Sequence, residues 1–399
     1  MPGTGKTFYI AGAGITGLTL ALALAKFGAN VVVLERSPTL TEFGAGLQIS
    51  PNARLLLDRL GLDHALASQS LEPAGIDIYP FRRPAPLITL QLGALMRERF
   101  GSPYAVMHRA DLAEALYKAT RPFANIDIIF GVRSWNAESH EQGVTISMED
   151  ANGQSRKVRA HGLIGADGVH SFTRRNLLAG ADAVSGGRTA WRTLLPFEAV
   201  TGQLALDRVS VLFAPGFHAV CYPLPHRQQV NVALFAKGMP DDAARRPTLP
   251  KSVQRSARLS ALLAAAADTW TLWPLYTVST PVWHKGNIGL AGDAAHAMVP
   301  FQAQGAAMGI EDAAVLAPLL VRHDNAESAF IQYETIRRER VSRVARISQT
   351  NGRIFHMGWP FNLARNLVIA AQGPRGHVNR LAWLYSHDAG LIPDQQSLA

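Results

Sequence analysis

The segment FYIAGAGITGLTLALALAKFGANVVVLER, residues 8–36, leaves few folds open. A short apolar run ends in Gly-Ala-Gly and passes into an apolar helix pattern. Gly28 stops that pattern, and a second apolar run ends in Glu35. Strand, G-x-G-x-x-G, helix, strand and acid, in that order, form the dinucleotide-binding unit of a parallel α/β sheet. Gly12 permits the tight turn, Gly14 lets a pyrophosphate reach the backbone, and Gly17 lets helix and strand pack closely. The free N–H groups of the helix start attract phosphate, and Glu35 would accept hydrogen bonds from a ribose diol. Glu35 would repel the extra phosphate of NADP. FAD and NAD both remain, and this motif does not separate them.

Two other readings of the same end fail. "GTGKT" (3–7) echoes a phosphate loop but has neither the further upstream glycine nor the preceding strand. The apolar run with Ala23-Leu24-Ala25 imitates a secretory signal, yet three glycines interrupt it and a strand with an acidic end follows. No other segment has enough uninterrupted apolar residues to span a bilayer. The single cysteine, Cys221, excludes an intramolecular disulfide framework and any multi-cysteine metal site. No metal is expected, and a reducing cytoplasm suits the chain. The formal charge of +9 is spread over dispersed arginines, which points to a scattered basic surface and anion sites rather than to nucleic acid. The densest cluster is Arg337, Arg338, Arg340, Arg343 and Arg346, with Ile336, Val341, Val344 and Ile347 on the apolar side of a helix. It reads as a solvated helix face.

Further along, residues 50–62 read as a helix capped by Ser50 with Pro51 at its first position. Residues 75–92 read as a hairpin and 108–120 as a helix. Asn152-Gly153 marks a second hairpin turn. From about 186 to 280 the pattern is mainly strands, with one helix inserted. Residues 287–296 return to the buried-strand style of the N-terminus, and a long helical region closes the chain. The fold class is therefore α/β: a Rossmann-like cofactor domain with an inserted, mainly β substrate domain and a C-terminal helical region. The expected divisions are 1–74 with 100–185 and 281–330, then 75–99 with 186–280, then 331–399.

Three motifs in order carry a family resemblance: GAGITG…LER, GLIGADGVHSFTR (162–174) and GLAGDAAHAMVPFQAQGAAMGIEDA (289–313). GAGLQISPNA (44–53), HRADL (108–112), AWR (190–192), HAVCYPL (218–224) and WLYSHDA (383–389) support it. The chain resembles the class A flavoprotein monooxygenases, with the fold of para-hydroxybenzoate hydroxylase. It is similar above all to the salicylate hydroxylase and 3-hydroxybenzoate 6-hydroxylase subgroup. The resemblance implies FAD as resident cofactor and NADH or NADPH as a transient reductant. Gly12, Gly14, Ile15, Thr16, Gly17, Glu35 and Arg36 would serve the adenosine and pyrophosphate end, with Gln48, Val132, Asp167 and Gly168 nearby. Arg109 would reach the flavin side chain and pyrophosphate. Asp293, after Gly292, would take a ribityl hydroxyl. Gly305, Ala306 and Ala307 would start a helix whose N–H groups stabilise reduced flavin, and Pro300 would lie against the ring. Ser171 and Arg174 match the tail of the second motif.

The implied chemistry is hydride transfer to FAD, oxygen addition at flavin C4a, and attack of an electron-rich arene on the resulting hydroperoxide. A base near a phenol, an anchor and a dry pocket are then needed. His218 and Tyr222, four apart on a strand, face one side, and this subgroup places such a pair near the substrate hydroxyl. Neutral His218 could act as the base. Arg188 and Arg192 also share a face, and Arg192 could pair with a substrate carboxylate. Gln302, Gln48 and His296 are lesser pocket candidates, His296 being more readily structural. Cys221 faces the other way, into core. The leading function is hydroxylation of a small phenolic or hydroxypyridine carboxylic acid by a cytoplasmic monomer or homodimer that meets O2 and the aromatic substrate, with no nucleic acid or membrane partner. The alternatives are an epoxidase, a quinone or tailoring hydroxylase on a larger apolar substrate, and a non-catalytic dinucleotide sensor; the C-terminal MGWPFNLARNLVIAAQG is apolar enough to touch a lipid or a partner. The GWxWxIP signature of the related halogenases is missing.

Overall fold

The computed structural model describes residues 1–40, 46–239, 244 and 246–390. Gly44 and Ala45 of the GAGLQISPNA motif, and the end of the expected C-terminal region, 391–399, lie outside them. The first apolar run is the strand Thr7–Ala11, flanked in parallel by Asn30–Leu34 on one side and Gly162–Gly165 on the other. Ile126–Ile129 extends one edge in parallel, Ile288–Leu290 the other, and the short His284–Lys285 closes the sheet antiparallel. The helix Ile15–Lys26 is buried along nearly all its length, which explains why it is apolar all round. It lies against the helices Arg109–Thr120 and Gly305–Arg322.

A second sheet has seven strands, in the order Thr271–Thr277, Val184–Pro196, Gln229–Lys237, Phe217–Leu224, Arg208–Ala214, Gly75–Tyr79, Ile88–Gln91. Its strands alternate in side-chain direction, and both faces are covered. Trp191, Phe217, Cys221 and Leu234 pack in one core with the helix Ala257–Ala266. Ala190, Ala233 and Phe235 pack with Val299 and Phe301 on the opposite face. Both expected hairpins form: Gly75–Tyr79 with Ile88–Gln91, and Gly143–Glu149 with Ser155–Ala160 around the Asn152-Gly153 turn. Ser50 stands at the N-cap position of Pro51–Leu57, but its hydroxyl does not cap; it accepts from Gln304 Nε2 at 2.9 Å. No helix among the described residues is long and apolar enough to cross a membrane.

The arginine cluster corrects the expectation of a solvated face in part: Arg343 and Arg346 are exposed, but Arg337 is buried and Arg340 nearly so. The helix Ala326–Phe355 turns Phe330, Tyr333, Arg337, Val341, Val344 and Ser348 inward, while Ile336 is exposed. Arg337, only 1% exposed, donates to Asp312 at 2.8 Å and to Glu311, and Arg340 donates to both Glu311 oxygens at 2.7 Å. The charge of Arg337 and Arg340 disguised an inward stripe whose acidic partners sit on another helix. Breaking such a buried pair strands charge at a cost of about 3–5 kcal/mol. Arg337→Met should therefore destabilise the protein by that free energy and lower the urea unfolding midpoint; an unchanged midpoint would show that the cluster does not hold the helices together.

Candidate active site

In an open parallel sheet, ligands bind beyond the carboxyl ends of the strands, where the winding reverses. Here that point is the end of Thr7–Ala11. Ala11 pairs with both Leu34 and Gly165, and Gly165 pairs with Leu290. The three sequence motifs, more than a hundred residues apart, thus leave adjacent strands at one edge: Gly12 onward, Glu35, Ala166–Gly168, and Gly292-Asp293. Gly12, at φ +104°, approaches so closely that a Cβ there would lie 2.5 Å from the Ala166 carbonyl oxygen. A Cβ on Gly17 would lie 2.0 Å from the Gly12 carbonyl oxygen. Thr16 fills the space where Gly292 and Gly309 lack side chains, which sets the start of Ile15–Lys26 beside the start of Gly305–Arg322. Two helix N-termini therefore share the edge, and both favour negative charge. Gly168 and Gly305 have open space where a Cβ would be. Asp293 is exposed and bonds to no side chain among the described residues.

The acidic residues at this edge divide their work. Glu35 receives the N–H groups of Ala13 and Ser37, both at 2.8 Å, so it braces the glycine turn while retaining lone pairs for a ligand. Val132 is buried, and its N–H bonds the Glu35 carbonyl; Arg36 is exposed. The Asp167 carboxylate takes the Ser171 hydroxyl, the Thr173 hydroxyl and the Thr173 N–H. It shapes its own turn and has little capacity left for a ligand. Arg174 is fully buried, donating to the carbonyls of Ala181, Ala294 and Val169, and ties the second motif to the third. Arg109 is the first residue of Arg109–Thr120, near enough to Arg192 to help lower that residue's pKa.

The loop from Ala297 to Gln304 crosses the second sheet. Ser348 donates to the Val299 carbonyl at 2.6 Å, and Asn351 donates to the Phe301 carbonyl and to Gln302. Pro300 and Gln302 are partly exposed at its turn. Below it, strand register places Ala190, Phe235 and His218 in one row, Arg192, Ala233 and Val220 in the next, and Leu194, Asn231 and Tyr222 in a third. His218, Arg192 and Tyr222 accordingly share the face covered by the loop, with Ala233 and Val220 between them. His218 stacks on Phe235 at 4.7 Å and meets Phe301 edge-on at 5.2 Å. Its Nδ1 lies 2.7 Å from His356 Nε2, and the other His356 nitrogen meets Arg188. The Tyr222 ring occupies the space of a Gly46 side chain, and the Gly46 N–H donates to Asn231. Arg192 is partly exposed, yet its Nε is buried with no hydrogen-bond partner among the described residues, as is Asn231 Nδ2. Burial lowers the Arg192 pKa, and Tyr222 counteracts this. These two donors on adjacent strands are open to a hydrogen-bond acceptor.

His296 lies away from this face, bonded to Asp312 at 2.6 Å and beside Trp283. Gln48 accepts from Tyr104. Cys221 is buried in the opposite core, and burial pushes its thiol up to about 12. His356 and Asn231 were missed by the sequence reading. Gln304 joins Ser50 to Asn52, and Asn52 donates to Glu311 at 2.7 Å. His356 lies after a long helix without a motif around it, so only the three-dimensional contact reveals it.

A family model described as "FAD binding domain" matches residues 6–348. The chain is 32% identical over 393 residues to a 3-amino-4-hydroxybenzoate 2-monooxygenase of Streptomyces platensis, covering 96% of each protein. It is 30% identical over 389 residues to the 3-hydroxybenzoate 6-hydroxylase of Polaromonas naphthalenivorans, again covering 96% of each. Among solved structures, HpxO from Klebsiella pneumoniae, in complex with FAD and uric acid, superposes with a TM-score of 0.80 at 23% identity, over 96% of this chain and 97% of that one. This last likeness shows the fold.

The histidine pair has a thermodynamic signature. Burial, then the neighbouring cation Arg188, lowers His356 from 6.5 to about 3. Burial, then His356 and Arg188, lowers His218 well below 6.5. Folded, both stay neutral where the unfolded chain binds protons, so stability is lost as pH falls from 6.5 toward 3. His356→Gln should flatten the decline of melting temperature with falling pH relative to wild type; parallel curves would contradict the assignment.

Proposed function

Because this chain belongs to the FAD-binding family of class A flavoprotein hydroxylases, we propose that it hydroxylates a small aromatic carboxylic acid bearing a ring hydroxyl or its pyridine equivalent, consuming NADH or NADPH and O2. The observation that carries the substrate class is the unmatched Arg192 Nε on the face shared by His218 and Tyr222. A carboxylate there gains charge-assisted bonds in a partly dry site, and Asn231 Nδ2 stands on the neighbouring strand. The relatives named above act, by their names, on hydroxybenzoates, which fits an anchor for carboxylate and a separate contact for a ring oxygen.

FAD, when bound, supplies the hydride acceptor and the activation of dioxygen. The residues at the sheet edge fit it: a glycine cradle too tight for side chains, paired helix N-termini for phosphate and reduced flavin, and a free Asp293 for a ribityl hydroxyl. Gly12, Gly14, Gly17 and Glu35 take the adenosine and pyrophosphate end, and Gly305, Ala306 and Ala307 take the ring end. Pro300 and the braced loop would border the ring and, with Phe235 and Phe301, would keep water from it. Arg192 and Tyr222 orient the substrate, while His218 contacts its ring oxygen. A cytoplasmic location and a monomer or homodimer complete this reading.

The test is a panel of phenolic and pyridinol acids, scored by NAD(P)H oxidation together with product mass. A yellow, folded protein should consume reductant faster with at least one acid and yield a product one oxygen heavier. A colourless protein that takes up no FAD would defeat the reading. Arg192→Met should raise KM for the acid about ten- to a hundredfold, the worth of a charged hydrogen bond, and change little for the matching neutral phenol. Equal effects on both would remove Arg192 from the substrate site.

A further inference from the structure

Arg188, His356 and His218 form a chain whose direction is dictated by its first member. A guanidinium has donors only and keeps its charge. Arg188 Nη1 therefore donates to His356 Nδ1, which must carry no proton. A neutral imidazole holds one proton, so that of His356 is on Nε2, and it donates across 2.7 Å to His218 Nδ1. His218 Nδ1 is then the acceptor, and its own proton belongs on Nε2, the nitrogen with no partner among the described residues. We propose that Arg188 and His356 are positioning residues that lock His218 as an Nε2–H donor toward the pocket. The site then receives either a pyridone carbonyl, which carries no proton, or a phenolate whose proton has already gone to bulk water, and His218 takes no proton from it. This rests on the pocket assignment above and reverses the role of general base that the sequence suggests for His218.

The surroundings support the direction. Phe235, Phe301 and Phe355 enclose the His218 ring. The charged groups that face the pair are Arg188 and, beside His356, Lys237. No carboxylate bonds either histidine among the described residues. A proton accepted by His218 would form an imidazolium in an apolar cage beside cations, and Arg188, a donor without an acceptor site, ends the path through His356 along which it could be passed on. A fixed N–H aimed at a substrate oxyanion, in contrast, acts through preorganised electrostatics. Burial strengthens such a donor as much as it weakens a base.

Two measurements decide it. The first uses the FAD-loaded protein without substrate, labelled with ring-15N histidine, with the His218 signal assigned by its loss in His218→Gln. The proposal expects a protonated Nε2 and a bare Nδ1 at neutral pH, and a mixture of tautomers in Arg188→Met. A proton on Nδ1, or an imidazolium, overturns it. The second compares turnover with 3-hydroxybenzoate, or with whichever panel acid is active, at equal flavin content. His218→Gln, which keeps an N–H, should stay within about tenfold of wild type, while His218→Ala should lose about a hundredfold, as when an oxyanion donor is removed. Gln as poor as Ala overturns the donor role. If no acid is active, the pocket assignment fails by itself, and the NMR result still decides the tautomer.

Discussion

The molecule depends on a buried charge cluster. Glu311 and Asp312, adjacent on the helix Gly305–Arg322, take Arg337, Arg340, His296 and Asn52. Burial alone would raise both carboxyl pKa values; His296 and Arg337 hold Asp312 below the usual carboxylate range, and Arg337 with Arg340 does the same for Glu311. Asp312 also accepts the Gly292 N–H at 2.8 Å. One cluster therefore fixes the turn after the strand Ile288–Leu290, the helix that follows, and the long helix Ala326–Phe355. An apolar core could hold these elements together, but it would not define where the loop between them must cross.

That crossing creates the candidate active site. The loop Ala297–Gln304 is anchored at its start by His296, at its end by Gln304 and Asn52, and along its length by Ser348 and Asn351. Its underside meets the face of the second sheet that carries His218, Arg192 and Tyr222. Its start and end frame the parallel-sheet edge where the glycine cradle lies. A FAD-dependent hydroxylase needs both surfaces within reach of one ring, and the braced loop borders each of them. The same long helix delivers His356 to His218, so the arginine-bearing helix reaches both ends of the problem.

Much of this was readable in the chain itself. Local signals are strong where the backbone is constrained by short-range chemistry: the glycine turn, the buried strands, the Asn152-Gly153 hairpin, the alternation that puts His218 and Tyr222 on one side and Cys221 on the other. The family motifs then named the cofactor and the reaction class. The roles of individual polar groups were less accessible. Asp167 looks like a ligand and spends its carboxylate on Ser171 and Thr173. Ser50 looks like a helix cap and serves Gln304. Arg337 looks solvated and is among the most buried side chains of the protein. In each case the partner lies too far along the chain, or the competing local bond is too close in energy, for spacing to decide.

The sequence by itself determined the dinucleotide unit, the order of the strands' apolar patterns, and which residues could face one another across a single element. These follow from steric rules and periodicities that act over a few residues. The tertiary structure alone decided which donors remain unmatched, as at Arg192, and which nitrogen of His218 has no partner among the described residues. A hydrogen-bonding inventory closes only when every buried group has met its neighbours, and those neighbours, Arg188 and His356, stand 168 residues apart in the chain.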